Sequence, residues 1–222
     1  MMDAMKNVLT ISKSAQKRLK KFLHRLRGDV FDNAGAVTEA DIAEIHRAID
    51  RVNPTIFIEI GTGTGVSTRA TYKYLQDKYP VCDFYTLDIF QEYLERIVSE
   101  FQQDQHLHVR HGLSVKRSET TDPAFEELGN YNGPDNVLRK LLDNELNGKS
   151  VDIAFIDSRK GTAVPEFKVL AERLSPDGII LCHDILNGGK GAELVDYLQH
   201  DPRFTYQIIN TGPAGMIRIQ RS

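Results

Sequence analysis

Short apolar runs alternate with longer amphipathic segments along most of the chain. Continuous apolar runs favour strands buried on both faces, whereas apolar positions three and four residues apart favour helices that pack on a sheet. Strands are therefore predicted near 55–60, 82–88, 106–111, 151–156 and 178–183. Helices are predicted near 66–78, 90–102, 134–147, 162–174 and 189–199. Strands that alternate with helices indicate a parallel sheet with helices on both faces.

The C-terminal tail carries two further strand patterns, Thr205–Ile209 and Met216–Ile219, joined by a short link with two glycines and a proline. A link this short joins antiparallel neighbours, because a parallel connection needs a crossover of about a dozen residues or more. The predicted fold class is α/β. We expect a doubly wound, mostly parallel sheet of seven strands that ends in an antiparallel hairpin and is preceded by N-terminal helices.

Two helical segments precede the first strand. They predict an N-terminal helical extension over residues 1–53, followed by the main domain at 54–222. The segment 13–27 has an apolar stripe opposite a face rich in lysine and arginine. It either docks through its apolar stripe or lies on an anionic membrane or a nucleic acid. The second segment begins with Thr38 and Asp41 in the positions of a capping box.

Composition narrows the class of protein. The 222 residues are 41% hydrophobic and 27% charged, as in soluble globular proteins, and the formal charge of −3 gives no general attraction to nucleic acid. We find no apolar run of membrane-spanning length, and residues 1–10 lack the apolar stretch of a signal peptide. Cys82 and Cys182 fall in predicted buried strands, which is typical of reduced core thiols. These observations predict a cytoplasmic location.

The segment 56–68 is the most informative part of the sequence. An apolar, β-branched run that contains Glu59 meets a loop with glycine at every second position, and hydroxyl residues then begin a helix. Such glycines let the backbone approach a ligand, and the first turn of a helix offers unpaired N–H groups to an anionic group. The spacing differs from a dinucleotide fingerprint, because Val66 stands where the third glycine is required.

The next predicted strand ends in Asp88, placed to hydrogen-bond a ribose at the carboxyl end of the sheet. With Glu59 before the glycines and Asp88 after them, this set resembles motif I of the class I S-adenosylmethionine-dependent methyltransferases. The resemblance implies a Rossmann-like sheet and S-adenosylmethionine as cofactor. It assigns cofactor binding to the loop, the helix start and the neighbouring strand ends: Glu59, Gly61, Thr62, Gly63, Gly65, Ser67, Asp88, Ile89, Ser114 and Asp157.

Within that set, the resemblance implies separate contacts for each part of the cofactor. The hydroxyl of Ser67 holds the methionine carboxylate, and Asp88 takes the ribose hydroxyls. Ser114, in a Gly-x-Ser turn, lies at the adenine edge. Ile89 or Phe90 is expected to flank the ring as an apolar wall.

Polar residues also end the fourth and fifth predicted strands. Asp157 and Lys160 follow the fourth strand, and His183 and Asp184 end the fifth. Because open α/β sheets bind ligands at the carboxyl ends of their strands, we expect these four side chains to converge beside the glycine loop. Ionisable groups at neighbouring strand ends indicate a catalytic site.

These two segments resemble the catechol and caffeoyl-CoA O-methyltransferase group, and the His183-Asp184 pair resembles bacterial O-methyltransferases acting on sugars and natural products. The first resemblance implies that Asp157 binds a divalent metal and that Lys160 is the catalytic base. Asp184 matches a second metal ligand, but Ile185 stands where the family has asparagine. Asn187 is close by and is the alternative ligand if the loop bends inwards. Two routes to a deprotonated acceptor stay open: a weak Mg²⁺ site at Asp157 and Asp184, or Lys160 or His183 as general base.

The sequence thus predicts an S-adenosylmethionine-dependent methyltransferase acting on an oxygen of a small hydroxylated molecule, such as a sugar, a phenol or another natural product. One alternative is a nucleic-acid methyltransferase with the segment 13–27 as an arm. The residues 157–160 speak against it, because they replace the Asn/Asp-Pro-Pro-Tyr/Phe signature of N-directed enzymes. The other alternative is a module that binds the cofactor without catalysis.

The expected partner is the small-molecule acceptor. The segment 115–150 is longer and more polar than a minimal connection, which is typical of a binding loop. A homodimer is the default expectation for a soluble enzyme of this class.

Overall fold

Seven strands form one sheet at the centre of the fold: β1 (Ile56–Ile60), β2 (Asp83–Asp88), β3 (Leu107–His111), β4 (Val151–Ile156), β5 (Leu174–His183), β6 (Phe204–Ile209) and β7 (Met216–Arg221). Their order across the sheet is β3-β2-β1-β4-β5-β7-β6. Strands β1 to β5 are parallel, and β7 runs antiparallel to both of its neighbours, β5 and β6. The predicted fold class, with its C-terminal antiparallel hairpin, is confirmed.

Helices precede the sheet and connect its strands: α1 (Glu39–Val52), α2 (Val66–Lys78), α3 (Gln91–Glu100), α4 (Val137–Lys140, continued by a π-helical turn at Leu141–Glu145), α5 (Ala163–Ala171) and α6 (Lys190–Gln199). A 3₁₀ turn at Arg117–Glu119 follows β3. Each predicted helix of the strand region is therefore present, within a few residues of its predicted bounds.

The computed structural model describes residues 37–102, 104–120, 131–186, 190–209 and 211–222. The basic segment predicted as a helix at 13–27 lies outside the described residues, as does part of the segment 115–150. Residues Val37–Ser222 form one compact unit. The division of the chain after residue 53 stays a prediction, because residues 1–36 are outside the described part.

Strand β1 is buried along its whole length. Both faces of a parallel sheet are covered by helices, which is why the sequence of β1 is an apolar run interrupted only by Glu59. The chain first adds β2 and β3 on one side of β1 and then returns to place β4 on the other side. The carboxyl ends of β1 and β4 therefore form the topological switch point, where open α/β sheets bind ligands.

Two apolar clusters cover the two faces of the sheet. On one face, Ile45 and Ile49 of α1 and Leu75 of α2 pack with Phe57 of β1. On the other face, helices α4, α5 and α6 pack against alternate residues of the same strands. This cluster includes Ile56 and Ile58 of β1, Leu138 of α4, Phe167 of α5 and Leu194 of α6. Successive residues of a strand point to opposite faces, so β1 contributes to both clusters.

The predicted capping box at the start of α1 is confirmed. The backbone N–H of Thr38 donates to the Asp41 carboxylate at 2.7 Å, and the backbone N–H of Asp41 donates to the Thr38 hydroxyl at 3.3 Å. At the other end, Asn53 has a left-handed φ of 53° and closes the helix. Both ends of α1 are thus fixed by local hydrogen bonds, and Asp41 is buried.

Two element boundaries differ from the prediction. Helix α4 begins at Val137 instead of near 134, because Asn136 has a left-handed φ of 56° that a helix interior does not accommodate. Strand β5 begins at Leu174 instead of near 178, since Leu174 pairs with Val151 before the register shifts. Ser175, Pro176 and Asp177 interrupt the apolar pattern in this early part of β5, so the sequence did not indicate it.

Both cysteines are free and buried, as the sequence indicates. Burial raises the pKa of the Cys82 and Cys182 thiols to about 12, so both stay protonated at neutral pH. Among the helices of the described ranges, none is long and apolar enough to cross a membrane.

The packing predicts unequal costs for two isoleucine truncations. Ile58 is fully buried in the centre of the sheet, and Ile208 on β6 is 44% exposed. Ile58→Ala should lower the free energy of unfolding by about 2–5 kcal/mol, because it removes buried contacts and leaves a cavity. Ile208→Ala is the matched control, with an expected loss below about 1 kcal/mol. Urea unfolding followed by circular dichroism measures both, and equal losses would contradict the assigned core.

Candidate active site

Three glycines shape the loop between β1 and α2. Their φ angles are all positive, at 101° for Gly61, 51° for Gly63 and 83° for Gly65. A Cβ on Gly61 would overlap the carbonyl oxygen of Asp157, so glycine lets the ends of β1 and β4 meet. A Cβ on Gly63 would meet no atom of the described residues within 4 Å. The loop is thus packed at Gly61 and borders open space at Gly63, where a ligand can approach the backbone.

Glu59 is buried beneath this loop and accepts three hydroxyl hydrogen bonds. Ser67 donates to its Oε1 at 2.7 Å, and Thr68 and Thr86 donate to its Oε2 at 2.6 and 2.7 Å. The hydroxyls of Thr62 and Thr86 are 2.6 Å apart, which extends the network into the loop. Both carboxylate oxygens face protein hydroxyls, so this geometry favours Glu59 and Ser67 as residues that hold the loop. Their direct contact with a cofactor stays a prediction.

The charge of Glu59 depends on pH near neutrality. Burial raises the pKa of Glu59 to about 7, although the hydroxyls of Thr68, Thr86 and Ser67 favour the charged form. The folded protein therefore binds a proton on Glu59 at a pH where the unfolded chain has released it.

Asp88 fixes the loop from the end of β2. Its Oδ2 accepts the backbone N–H of Gly63 at 2.9 Å, and its Oδ1 accepts the backbone N–H of Phe90 at 2.8 Å. Burial raises the pKa of Asp88, and these backbone hydrogen bonds oppose the shift. The carboxylate therefore lies against the open glycine, as expected of an acidic strand end that binds a ribose.

The segment after β3 adds an apolar patch and a buried carboxyl group. Ile89 packs with Leu113 and Tyr131 in a small cluster. Ser114 is buried and donates its hydroxyl to Glu166, a fully buried residue of α5. The role of Ser114 at an adenine edge stays a prediction. Sequence reasoning missed Glu166, although a glutamate in the first turn of a largely apolar helix was a signal for it.

Four ionisable groups meet where β4 and β5 end. His183 Nδ1 lies 3.2 Å from Asp157 Oδ1 and 3.6 Å from Asp184 Oδ1. Lys190 Nζ lies 3.6 Å from Asp157 Oδ1 and 3.8 Å from Asp184 Oδ2, and it donates to the carbonyl oxygen of Ser158 at 2.9 Å. Of the four side chains predicted to converge, Asp157, His183 and Asp184 meet here, and Lys160 is not among the groups in contact. The catalytic roles of these residues stay predictions.

Asp41 reaches this cluster from α1. Its Oδ2 lies 3.2 Å from His183 Nε2, and Thr211 donates to its Oδ1. Burial opposes ionisation, yet contacts with His183, Thr211 and Thr38 hold the pKa of Asp41 well below its usual range. Burial alone would lower the pKa of His183, but Asp157 and Asp41 outweigh it and raise this pKa to about 9. At neutral pH His183 is therefore a buried imidazolium with a carboxylate at each ring nitrogen.

Lys160 and Lys190 occupy different environments. Lys160, the predicted base, is exposed in the turn after β4. Lys190, which sequence reasoning missed, is the buried lysine of the cluster. A Cβ on Gly191 would overlap the carbonyl oxygen of Ile185, so glycine lets the first turn of α6 lie directly on the end of β5. A lysine between glycines at a predicted helix start was the available signal.

The residues at this edge do not fit the Mg²⁺ site that the sequence left open. One ligand atom each from Asp157, His183 and Asp184 lies within 4.8 Å of the others, close enough to share an ion. However, both nitrogens of His183 face carboxylates, and the ammonium group of Lys190 lies beside both carboxylates. A metal-binding histidine must be neutral, and a divalent cation would meet positive charge here. Ile185 supplies no side-chain ligand atom, and Asn187, the alternative ligand, lies outside the described residues.

The comparison with known families decides the class of the protein. A profile of the family described as "Methyltransferase domain" matches residues 58–185, more than half of the chain. The chain belongs to this family. The matched range begins in β1 and ends just after β5, so it contains the glycine loop and Asp88. It also contains Asp157, His183 and Asp184 of this methyltransferase, whereas Asp41 and Lys190 lie outside it.

Solved structures share the fold of this methyltransferase at low sequence identity. An O-methyltransferase from Bacillus cereus, in complex with SAH, has a TM-score of 0.65 and 15% identity, covering 97% of this chain and 94% of its own. The SAH-bound methyltransferase PaMTH1 from Podospora anserina has a TM-score of 0.61 and 15% identity, covering 97% and 98%. The O-methyltransferase TomG from Streptomyces achromogenes, in complex with SAM, has a TM-score of 0.61 and 14% identity, covering 92% and 96%.

The raised pKa of Glu59 predicts a pH-dependent stability. Its stabilising contribution is complete below about pH 4.5 and is lost as the pH rises through about 7. Between these values the free energy of unfolding of the wild type should therefore fall relative to Glu59→Gln, by on the order of 3 kcal/mol. Urea unfolding at a series of pH values measures this difference.

The control for that experiment is Glu92→Gln, an exposed glutamate on α3. Its unfolding free energy should follow the wild-type curve at every pH. If the difference in unfolding free energy between the wild type and Glu59→Gln stayed constant across this range, the environment of Glu59 would not raise its pKa.

Proposed function

We propose that this methyltransferase transfers the methyl group of S-adenosylmethionine to a hydroxyl oxygen of a small molecule. The proposal rests on the position of the glycine loop between Asp88 and the end of β4. It contacts Asp88 through Gly63 on one side and the backbone of Asp157 through Gly61 on the other. A donor held by this loop lies next to the carboxylates at the ends of β4 and β5.

The glycine loop, α2 and Asp88 would hold the donor. The open space at Gly63 leaves room for a ligand against the backbone. The first turn of α2 has N–H groups suited to a carboxylate such as that of the methionine moiety. Asp88 would accept hydrogen bonds from the ribose hydroxyls. SAH and SAM in the similar structures from Bacillus cereus, Podospora anserina and Streptomyces achromogenes support this assignment.

When bound, S-adenosylmethionine supplies a methyl group on a sulfonium sulfur, which becomes a thioether as the acceptor oxygen takes the methyl carbon. The protein has two tasks in such a displacement. It must hold the acceptor oxygen in line at near-attack distance, and it must receive the hydroxyl proton.

The accessible carboxylates are the groups suited to receive that proton. The side chains of Asp184 and Asp157 are 29% and 17% exposed, whereas those of His183 and Lys190 are 0% and 4% exposed. The buried cations thus lie behind the two carboxylates. His183 already carries a proton at neutral pH, so it acts as a positioning residue. We assign proton acceptance to Asp184, the more exposed carboxylate.

The paired carboxylates also favour a class of acceptor. Two ionised groups at one edge accept hydrogen bonds from two neighbouring hydroxyls, as in a sugar or a catechol. An acceptor with adjacent hydroxyls is therefore the proposed substrate class. The alternative of a nucleic-acid substrate rests on the segment 13–27, which lies outside the described residues.

Donor binding tests the proposal. We expect calorimetric titration to detect S-adenosylmethionine binding to the wild type. Asp88→Ala should raise the Kd about 10- to 100-fold, because it removes charged hydrogen bonds to the ribose that contribute roughly 1.5–3 kcal/mol. The matched control is Asp83→Ala at the opposite end of β2, where the carboxylate contacts His106 and His108. Its Kd should equal that of the wild type.

The outcomes separate the alternatives. No binding by the wild type, or equal binding by Asp88→Ala, would contradict the donor site. Donor binding followed by methylation of compounds with adjacent hydroxyls supports the proposed function. Donor binding without methylation of any hydroxylated compound would instead support a binding module without catalysis.

A further inference from the structure

We infer that the ammonium group of Lys190 takes the place of a divalent cation between Asp157 and Asp184, so that this site works without a metal. The inference concerns the same site as the proposed function, but it is carried by the contacts of Lys190 and not by the donor site.

The position of the ammonium group is the first observation. Lys190 Nζ lies 3.6 Å from a carboxylate oxygen of Asp157 and 3.8 Å from one of Asp184. Two carboxylates this close to each other repel unless a positive charge lies beside them. A divalent cation with oxygen ligands would supply that charge from the same place. Lys190 supplies it from the protein itself.

The second observation is that this ammonium group is fixed. The Lys190 side chain is almost fully buried, and its Nζ donates to the backbone carbonyl of Ser158. Its backbone is held as well, because Gly191 lets the first turn of α6 approach the carbonyl of Ile185. A buried ammonium group costs free energy unless it is paired, and here its partners are Asp157 and Asp184. The ammonium group is therefore held beside the two carboxylates by burial and by its hydrogen bond to Ser158.

The other candidate ligands at this edge also do not favour a metal ion. The third candidate, His183, has Asp157 at one ring nitrogen and Asp41 at the other, so neither nitrogen faces an open position. Ile185, directly after Asp184, has an apolar side chain. Magnesium and manganese ions need several oxygen ligands around them, and among the described residues this edge offers two carboxylates already paired with cations.

The test is to remove the charge of Lys190 and measure binding of Mn²⁺ alone. Lys190→Gln keeps an N–H donor for the Ser158 carbonyl but leaves the two carboxylates without their ammonium partner. Titration followed by the electron paramagnetic resonance signal of free Mn²⁺ should show at least ten-fold tighter binding than the wild type. We expect the Kd of the variant to be about 10⁻⁴ to 10⁻³ M, as for weak carboxylate sites. Adding Asp184→Asn to this variant should abolish the gain.

The matched control is Lys140→Gln. Lys140 also donates to a backbone carbonyl, that of Asp135, at 2.9 Å, but it is exposed and does not belong to the cluster. Its Mn²⁺ binding should equal that of the wild type. Circular dichroism establishes that each variant is folded, and Lys190→Met is the second variant if Lys190→Gln does not fold.

Two results would overturn the inference. The first is folded Lys190→Gln or Lys190→Met that binds Mn²⁺ no more tightly than the wild type. The second needs no Lys190 variant: wild-type Mn²⁺ binding that Asp184→Asn weakens. Because neither donor nor acceptor is present, a failure here leaves the proposed function standing, and loss of donor binding leaves this inference standing.

Discussion

The imidazolium of His183, enclosed between the carboxylates of Asp41 and Asp157, is the contact on which the carboxyl edge of this sheet depends. Through it the first turn of α1 and the ends of β4 and β5 are joined in one buried group of charges. Lys190 extends that group to α6. Removing one partner of a buried ion pair typically costs about 3–5 kcal/mol, because the remaining charge is left without compensation. The cluster therefore fixes the geometry of the edge as well as its charge.

The two sides of the site are built differently, and the difference matches the chemistry proposed for each. Beside the glycine loop, Glu59 lies in a network of hydroxyls, and Asp88 accepts backbone N–H groups. These contacts hold the glycine loop in a conformation that leaves Gly63 open to a donor. On the acceptor side, accessible carboxylates are backed by buried cations. Methyl transfer requires both: a firmly held donor, and a group that accepts a proton beside the acceptor oxygen.

The features that the sequence predicted correctly are those that depend on the residues of one short segment. The apolar run of β1, the glycines after it and the position of Asp88 each follow from spacing within a short segment. Convergence of Asp157 and His183 followed from the general rule that open sheets bind ligands at their carboxyl edge.

The features that were missed depend on contacts between distant segments. The capping box already accounted for Asp41, so nothing local indicated that its carboxylate also meets His183. The same holds for Lys190 and Lys160: both follow strand ends, and only the close approach of α6 to β5 decides which one is buried. The sequence around Asp157 and Asp184 suggested a metal site, and nothing in these segments indicated that a lysine lies between the two carboxylates.

The charge state of His183 is the most direct test of this account. Around it lie Asp41 from α1, Asp157 after β4, Asp184 after β5 and, beyond the two aspartates of the strand ends, Lys190 from α6. A ¹⁵N NMR pH titration of the imidazole, assigned by its loss in His183→Gln, should show the ring protonated at neutral pH and titrating near pH 9. In Asp41→Asn the pKa should fall. A ring that titrates at or below its ordinary value of 6.5 in the wild type would contradict the charge cluster on which the account rests.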